Sequence, residues 1–451
     1  MNSPILFEKQ KIFIKDLAAK NPSINLVKPP NIKYAGERKN HINVLMLDYQ
    51  NTYAIKGLLP HFSNTRSINV NIITCPQQNL LQRIIDESND PDSEIDICMF
   101  DIPWLPYLAS KKHLQDISDN MEAIGFSKDI FLPGCFKYYS EFENGLYGVP
   151  FIYVPQILFY RKDLFSNNSL RKDFERKYKI QLRPPRTWSE FNAIAEFFTM
   201  SFNIHSPLEY GTSVAAAYSE LLAPEFFARL WSYNGRIFDE KNRVKFDTPE
   251  VQKAVNNFYK TFDFTHPSTI DHGIERTVQD FYKGRTAMLI CYSSYTTEIN
   301  DRFKSKIVGK IGYDHLPGRT PILGGWSLGI CPNSKKKKIA FEFLNWVCSM
   351  DISSYFAIMQ GQSPMVGLYS NNELIKMYPW LTLILDTYKY CRIRKGPYKE
   401  GSRVIPQNKL GSAITNSLYS ILKYENSVTN AVSVAQRELE VLFESYGYHQ
   451  K

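Results

Sequence analysis

The first quarter of the chain alternates short apolar strands with helical segments, and this pattern limits the folds available to it. The predicted elements are strand, helix, strand, helix and strand in that order, at about 42–47, 52–63, 69–73, 77–87 and 95–100. Strands connected by helices of this length form parallel sheets with crossover connections. Ligands of such sheets bind beyond the carboxyl ends of the strands, so we expect the relevant loops at 48–50 and 101–104.

After Pro150 the pattern changes to long helices with few strands, which indicates a second kind of unit. The predicted helices lie at about 188–200, 222–233, 249–263, 407–424 and 428–446. A strand returns at 286–291, in Thr-Ala-Met-Leu-Ile-Cys. A chain of 451 residues is long enough for two or three hydrophobic cores, and the mixture of elements predicts an α/β protein.

Aromatic residues are abundant and allow two interpretations. The chain has 28 Tyr, 29 Phe and 6 Trp, which together make up 14% of it. Most of these rings must belong to the core. A carbohydrate site would use the same residue types, because the C–H faces of sugars pack against aromatic rings. The composition favours neither interpretation.

The net charge of +9 would suit a polyanionic partner if the basic residues were clustered. The clusters are small, at 9–15, 335–338 and 392–395. Ser334 is a suitable N-cap, and apolar residues follow it at helical spacing, so we interpret the run at 335–338 as the solvated start of an amphipathic helix. The sequence therefore does not predict that this chain contacts nucleic acid.

Seven cysteines, with no CxxC pair, favour free thiols in a reducing compartment over a disulfide framework. Cys98, Cys291 and Cys331 lie within apolar strand-like runs, so we expect them to be buried. No apolar run approaches the roughly 20 residues of a membrane-spanning helix. Residues 1–40 have no leader-like pattern and are interpreted as an N-terminal arm or linker, so a cytoplasmic location is one expectation for the chain as given.

One segment matches a catalytic motif. Gly325-Trp-Ser-Leu-Gly329 has the GxSxG spacing of the nucleophile elbow in α/β-hydrolases, which would make Ser327 the nucleophile of an esterase. That motif needs a helix after the serine and a histidine later in the chain. Here a strand-like run continues to Pro332, and the histidine that follows is His449, so we expect the match to be accidental.

Other catalytic and cofactor motifs are missing from the sequence. The eight histidines have no metal-ligand spacing, and neither form of the glycine-rich phosphate-binding loop is present. We therefore expect neither a metal nor a cofactor, and we expect a protein that is not an enzyme.

Several segments, in their order along the chain, resemble one family of proteins. They include Asp96-Ile-Cys-Met-Phe-Asp101, Tyr147-Gly-Val-Pro-Phe151, Tyr160-Arg-Lys-Asp-Leu-Phe165, Pro184-Pro-Arg-Thr-Trp-Ser-Glu-Phe191, Trp231-Ser-Tyr-Asn-Gly-Arg-Ile-Phe238, Phe281–Tyr292, Gly309–Gly318, Leu323–Ile330 and Gly361-Gln-Ser-Pro364. Across residues 41–446 the chain resembles family 1 of the extracellular solute-binding proteins, the sugar receptors of ABC importers related to maltodextrin-binding protein.

The resemblance implies a two-lobed, periplasmic-binding-protein-like fold (type II) whose interleaved lobes are joined by hinge strands. Residues 41–150 plus 286–322 would form lobe 1, and residues 151–285 plus 323–446 would form lobe 2. Hinges near Pro150, Thr286 and Leu323 would let the lobes close on a ligand.

The resemblance also implies a function. The chain would bind a carbohydrate, favoured as an oligosaccharide, in the interlobe cleft for ABC-type uptake, with an ABC permease as a candidate partner. The resemblance implies a location outside the membrane, which conflicts with the expectation of a cytoplasmic location. The alternative is a cytoplasmic sugar-sensing effector body of a transcriptional regulator.

Relatives place aromatic and carboxylate side chains at the ends of matching strands, and these positions give the candidate ligand-binding residues. Trp326 and Tyr292 are the first choices for stacking on sugar, with Trp104 as the alternative. Glu225 stands where maltodextrin binders have the tyrosine of a Pro-Tyr-Phe sequence, which puts maltodextrin itself in doubt. Core packing is the competing interpretation for the rings. The full set is Tyr49, Asp101, Trp104, Tyr153, Glu225, Tyr292, Tyr295, Trp326 and Arg403.

Overall fold

A computed structural model describes residues 40–124, 126–398 and 403–450. Except for residue 40, the predicted N-terminal arm lies outside the described residues. The chain divides into two compact units. The first unit contains the described residues up to Tyr153 together with Gly325–Pro379, and the second contains Val154–Gly324 together with the residues from Trp380 onward.

The secondary structure within the described ranges is mixed, as the sequence predicts. The strands are β1 Asn40–Leu47, β2 Ile68–Cys75, β3 Ile97–Asp101, β4 Glu141–Phe142, β5 Gly145–Leu146, β6 Val149–Arg161, β7 Met288–Tyr292, β8 Ile311–Asp314 and β9 Leu323–Ile330. The helices are α1 Gln50–Arg66, α2 Gln77–Asn89, α3 Leu105–Ser110, α4 Ser118–Ala123, α5 Cys135–Tyr139, α6 Lys162–Phe165, α7 Asn168–Tyr178, α8 Trp188–Phe197, α9 Ser219–Ser232, α10 Pro249–Phe262, α11 Ile274–Tyr282, α12 Thr296–Ile299, α13 Lys337–Val347, α14 Met350–Ile358, α15 Asn372–Met377, α16 Trp380–Thr387, α17 Gln407–Leu422 and α18 Val428–Ser445.

The first unit is built on the parallel sheet that the N-terminal pattern predicts. Strand β1 pairs in parallel with β2, from Asn40 opposite Ile68 to Leu47 opposite Cys75, and also in parallel with β3. Strand β9 then pairs antiparallel with the other edge of β3. Residues 42–47 of β1 and the whole of β3 are buried, which explains their nearly continuous apolar sequences.

The second unit is formed around the C-terminal part of β6 and a layer of helices. Residues 156–160 of β6 pair antiparallel with β7, and residues 158–161 pair antiparallel with β8. Helices α9, α10, α17 and α18 enclose a core rich in Phe, Leu, Ile and Val, which includes Phe226, Phe258 and Phe443. The long helices predicted after Pro150 and near the end of the chain are therefore the core-forming elements of this unit.

The predicted assignment of segments to the lobes is corrected by the strand pairing. Residues 286–322 were assigned to lobe 1, but β7 and β8 pair with β6 and belong to the second unit. Residues 325–379 were assigned to lobe 2, but β9 pairs with β3, so this segment belongs to the first unit.

The positions at which the chain passes between the units agree in part with the predicted hinges. The chain passes at Tyr153–Val154 and at Gly324–Gly325, close to the predicted hinges at Pro150 and Leu323. The third passage, at Pro379–Trp380, was not predicted. Thr286 is buried inside the second unit, so it is not a passage point.

All seven cysteines lie in the described ranges, and all are free thiols. Cys98, Cys291 and Cys331 are buried, as their apolar surroundings predict. Cys135 and Cys348 are also buried, whereas the other two cysteines are partly exposed. Within the described part of the chain, no helix combines the length and the apolar character that crossing a bilayer requires.

We expect a thiol reagent to find seven reactive groups in denaturant without reductant, but at most two that react rapidly in the native protein. Burial raises the pKa of Cys135, Cys291 and Cys348, and a hydrogen bond with Cys98 together with burial raises that of Cys331, which suppresses the reactive thiolate at neutral pH. The partly exposed Cys75 and Cys391 should react first. A colourimetric thiol titration, with Cys391→Ser as the control that removes one rapid group, measures both counts. Fewer than seven groups in denaturant would contradict the assignment of free thiols.

Candidate functional site

Two tryptophans meet at one end of the sheet in the first unit. Strand β3 ends at Asp101 and continues into a 3₁₀ turn, Ile102–Trp104. Strand β9 places Trp326 directly opposite Asp101 in the antiparallel register. The rings of Trp104 and Trp326 are perpendicular, at 86°, with their centroids 5.7 Å apart. The structure therefore brings together three of the residues that the sequence predicted.

A glycine before Trp326 permits this arrangement. Gly325 has a φ of 152°, and a Cβ at this position would lie 2.3 Å from the carbonyl oxygen of Ile152 and 2.3 Å from the hydroxyl oxygen of Tyr139. Any other residue would force the backbone of β9 away from these groups. Gly325 thus fixes the position from which the Trp326 side chain starts.

Tyr49 and Tyr153 occupy different environments in the first unit. Tyr49 follows β1 at the same end of the sheet as Asp101 and is half-buried. Tyr153 is buried, and its ring lies nearly parallel to that of Tyr139 with a centroid separation of 6.4 Å. The environment of Tyr153 is that of a packed ring, so any contact with ligand would be limited to a small part of its surface.

Two polar residues beside Tyr153, Asn51 and Gln362, are not among the residues predicted to bind ligand. The backbone N–H of Tyr153 donates to the carbonyl oxygen of Gln362 at 2.8 Å. The N–H of Gln362 in turn donates to the side-chain oxygen of Asn51 at 3.1 Å. The segment Gly361-Gln-Ser-Pro364 was part of the family resemblance, and it was the signal that could have identified Gln362.

In the second unit, Tyr292 lies at the end of β7. A Cβ on Gly324 would lie 2.6 Å from the Tyr292 ring, so the ring occupies space that only a glycine leaves open. Tyr292 is half-buried and packs against the core that contains Leu222 and Ala223 of α9, the helix that also carries Glu225. Tyr295 follows in a 3₁₀ turn, Ser293–Tyr295, and packs half-buried against a separate cluster around Phe281.

The carboxyl group of Glu225 has a strongly perturbed pKa. Burial raises its pKa to about 7, while the positive charge of Arg229 and a hydrogen bond from the backbone N–H of Ala215 act in the opposite direction. The same carboxylate contributes to the raised pKa of Cys291, after the larger effect of burial. Glu225 is thus within electrostatic range of Cys291, the residue of β7 that precedes Tyr292.

Arg229 is a buried cation held mainly by aromatic rings. Its side chain is 1% exposed, and its guanidinium carbon lies 3.9 Å from the centroid of Trp188 and 4.8 Å from that of Phe258. The guanidinium donates to the hydroxyl oxygen of Thr261 at 3.1 Å and to the backbone carbonyl of Glu225 at 3.2 Å. Burial lowers the pKa of Arg229 to about 9, so it remains charged at neutral pH.

Within the second unit, the structure does not bring Arg403 to the other candidates. Its side chain is exposed, and its backbone carbonyl accepts a hydrogen bond from the hydroxyl of Tyr448 at 3.2 Å. Among the described residues of the second unit, no contact joins Arg403 to Glu225, Tyr292 or Tyr295. Its predicted role in binding stays a prediction.

Ser327 is not placed as a nucleophile. It lies in the middle of β9, is completely buried, and donates its hydroxyl to the backbone carbonyl of Tyr139 at 2.7 Å. A nucleophile elbow would instead expose the serine on a sharp turn between a strand and a helix. A Cβ on Gly329 would lie 2.7 Å from the carbonyl oxygen of Tyr147. The glycines of this GxSxG sequence therefore serve close packing of the strand.

Comparison with known proteins gives the same family at the levels of sequence and fold. A mannitol-binding protein of Pseudomonas aeruginosa is 24% identical over 228 residues, which is 49% of this chain and 49% of the relative, so the match spans about half the length of that protein. A ribitol complex of an ABC transporter solute-binding protein from Agrobacterium radiobacter has a TM-score of 0.77 at 19% identity, covering 90% of this chain and 99% of the other.

A maltose-bound protein of T. maritima has a TM-score of 0.74 at 22% identity, covering 89% of this chain and 99% of the other. These two similarities show the two-lobed solute-binding fold. The family model of the bacterial extracellular solute-binding proteins matches residues 51–352, which is more than half of the chain. The chain belongs to the bacterial extracellular solute-binding protein family.

Proposed function

We propose that this protein binds a neutral carbohydrate or polyol, without changing it chemically, as the receptor of an ABC-type uptake system. The observation that carries the proposal is the perpendicular pair of Trp104 and Trp326 beside Asp101, at the end of a parallel sheet where ligands of such sheets bind. Three related proteins are named for mannitol, ribitol or maltose, which supports the ligand class. An oligosaccharide is the finer form of the proposal.

The chemistry of the candidates fits such a ligand. Aromatic faces pack against the C–H faces of a sugar, and a carboxylate accepts hydrogen bonds from its hydroxyl groups. The first unit offers Trp104, Trp326 and Asp101, and the second offers Tyr292 and Glu225. None of these groups has the arrangement of a nucleophile with an adjacent base, so binding is a better description of the chemistry than turnover.

A second function, as an intracellular sensor of the same ligand class, is favoured by one observation. Seven free thiols are typical of a reducing compartment. The family's extracellular membership favours the uptake receptor. Both functions need the same binding chemistry, so ligand binding is tested first.

Isothermal titration calorimetry against ribitol, mannitol and a panel of di- to tetrasaccharides tests the proposed function. We expect saturable binding of at least one compound, with one site per chain and no change in the compound when it is recovered. Absence of heat across the panel, together with turnover of a glycoside or an ester, would reject the proposal.

Alanine replacement of tryptophans separates binding from packing. Trp326 and Trp346 are both 6% exposed, but Trp346 packs against Phe62 and Phe343 in the core. Because Trp346→Ala leaves a cavity in the core, we expect it to lower the free energy of unfolding by about 3–5 kcal/mol. It should leave Kd unchanged. Trp104→Ala, at a half-buried position, should cost about 1.5–3 kcal/mol of binding, or roughly ten- to hundredfold in Kd.

Trp326→Ala should show both effects, since its ring is buried and also contacts Trp104. Thermal unfolding and calorimetry of the three variants measure the two quantities separately. If Trp326→Ala unfolds early but its folded fraction binds with the wild-type Kd, then Trp326 is a core residue and its assignment as a ligand contact fails.

Affinity should depend on pH through Glu225. Hydrogen bonds to an ionised carboxylate are stronger than those to a neutral carboxyl group, so affinity should rise by about fivefold as the pH passes upward through 7. The Glu225→Gln variant should lose this dependence, and Glu220→Gln, at an exposed position in the first turn of the same helix, should retain it. Titration calorimetry at intervals of roughly one pH unit between pH 5.5 and 8.5 measures how the affinity changes with pH.

The stability of the protein without ligand should change with pH in the opposite direction. The pKa of Glu225 is higher in the folded protein than the value of 4.5 for an unperturbed glutamate, so the folded state retains the proton longer than the unfolded state. Its contribution to stability is complete below pH 4.5 and is lost as the pH rises through about 7. An unchanged pH profile of denaturation in Glu225→Gln would show that Glu225 does not carry this effect.

A further inference from the structure

An uncharged loop in the second unit exposes three apolar side chains. The segment 199–208 follows α8 and contains no Asp, Glu, Lys or Arg, in a chain of which 22% is charged. Within it, Met200 is 49% exposed, Phe202 is 44% exposed and Ile204 is 83% exposed. Single exposed apolar residues are common on soluble proteins, but three alternate residues at the tip of one loop form a patch. We name these three residues the 200–204 tip.

Two polar residues of the loop, Thr199 and Asn203, hydrogen-bond to neighbouring backbone and hold the loop in place. The side-chain amide of Asn203 donates to the carbonyl of Phe197 at 2.8 Å. The hydroxyl of Thr199 donates to the carbonyl of Ala195 at 2.7 Å and accepts from the N–H of Gly211 at 2.9 Å. The apolar side chains are therefore presented outward by a hydrogen-bonded framework.

A basic helix lies next to the start of this loop. Phe174 and Tyr178 of α7 pack against Phe197 at the end of α8, with centroid separations of 5.2 and 6.4 Å. Helix α7 and its C-cap carry five basic residues and two acidic ones, namely Arg171, Lys172, Arg176, Lys177 and Lys179 against Asp173 and Glu175. Arg176 is paired with Asp173 and Lys177 with Glu196, yet the helix keeps a net positive charge.

A further lysine lies beside the tip itself. The ammonium group of Lys260 lies 5.6 Å from the ring centroid of Phe202 and 5.2 Å from that of Phe264, and it also bonds Asp263 at 2.9 Å. An amine cation next to apolar rings combines the two chemistries found at the boundary between lipid tails and headgroups.

We propose that the 200–204 tip and helix α7 form a surface that docks on an anionic lipid bilayer. The three apolar side chains would enter the interface, and the basic residues of α7 would contact the negatively charged headgroups. The net positive charge of α7 complements negatively charged headgroups, so the surface should prefer an anionic bilayer to a neutral one. This proposal is independent of the carbohydrate proposal, since none of its residues is a candidate ligand contact.

Flotation of the purified protein with lipid vesicles tests this proposal. We expect the protein to float with vesicles of phosphatidylglycerol and phosphatidylcholine and to remain in solution with pure phosphatidylcholine. The double variant Met200→Ser/Ile204→Ser should bind the anionic vesicles at least about tenfold more weakly, since it loses two inserting side chains. Lys172→Glu/Arg176→Glu should weaken binding by roughly fivefold or more for each altered charge, and added salt should reproduce part of that loss.

The matched control is Val441→Ser. Val441 is 67% exposed but lies on α18 between Glu440 and Glu444, where an anionic bilayer is not expected to bind. The control should float like the wild type, and thermal unfolding should show that all variants are folded. The proposal fails if the wild type does not float with anionic vesicles, or if the loop variant floats as well as the control. It also fails if the protein binds native membranes through a protein component and not protein-free vesicles.

Discussion

The glycine pair Gly324-Gly325 is the local constraint on which the proposed binding chemistry depends. Each of these β9 glycines lies against a backbone carbonyl of β6 and an aromatic ring, so that neither position has room for a Cβ. Gly324 admits the ring of Tyr292 in the second unit, and Gly325 admits Tyr139 in the first. The glycine pair therefore determines where both residues predicted to stack on the ligand, Tyr292 and Trp326, can lie.

Much of the fold could be predicted from sequence because local patterns carry it. The alternation of strands and helices before residue 101 predicted the parallel pairing of β1, β2 and β3, and the family resemblance drew attention to Trp326. The assignment of segments to units was wrong for a physical reason. The apolar sequence of β7 or β9 shows that it is a buried strand but does not specify its partner, and the partners are separated by more than a hundred residues.

The electrostatics of the second unit show a similar limit. Glu225 was selected because it replaces a tyrosine of the relatives, yet nothing near it in sequence predicted a pKa near 7. That value depends on burial, and the neighbouring Arg229 is held by Trp188 and Phe258, residues on two other helices. The hydrogen bond from Gln362 to Asn51 could not be predicted for the same reason, because it joins segments that only the fold brings together.

During synthesis, strand β3 of the first unit leaves the ribosome long before its partner β9. Its sheet is complete only when β9, which begins at Leu323, pairs with β3, which ends at Asp101. At about 5–20 residues per second, this interval lasts on the order of ten to forty seconds. Throughout it, one edge of β3 presents the apolar sequence Ile97-Cys-Met-Phe100 without its native partner, and unpaired edges of this kind favour association between chains. Protection of the nascent chain over that interval would govern how much native protein is obtained.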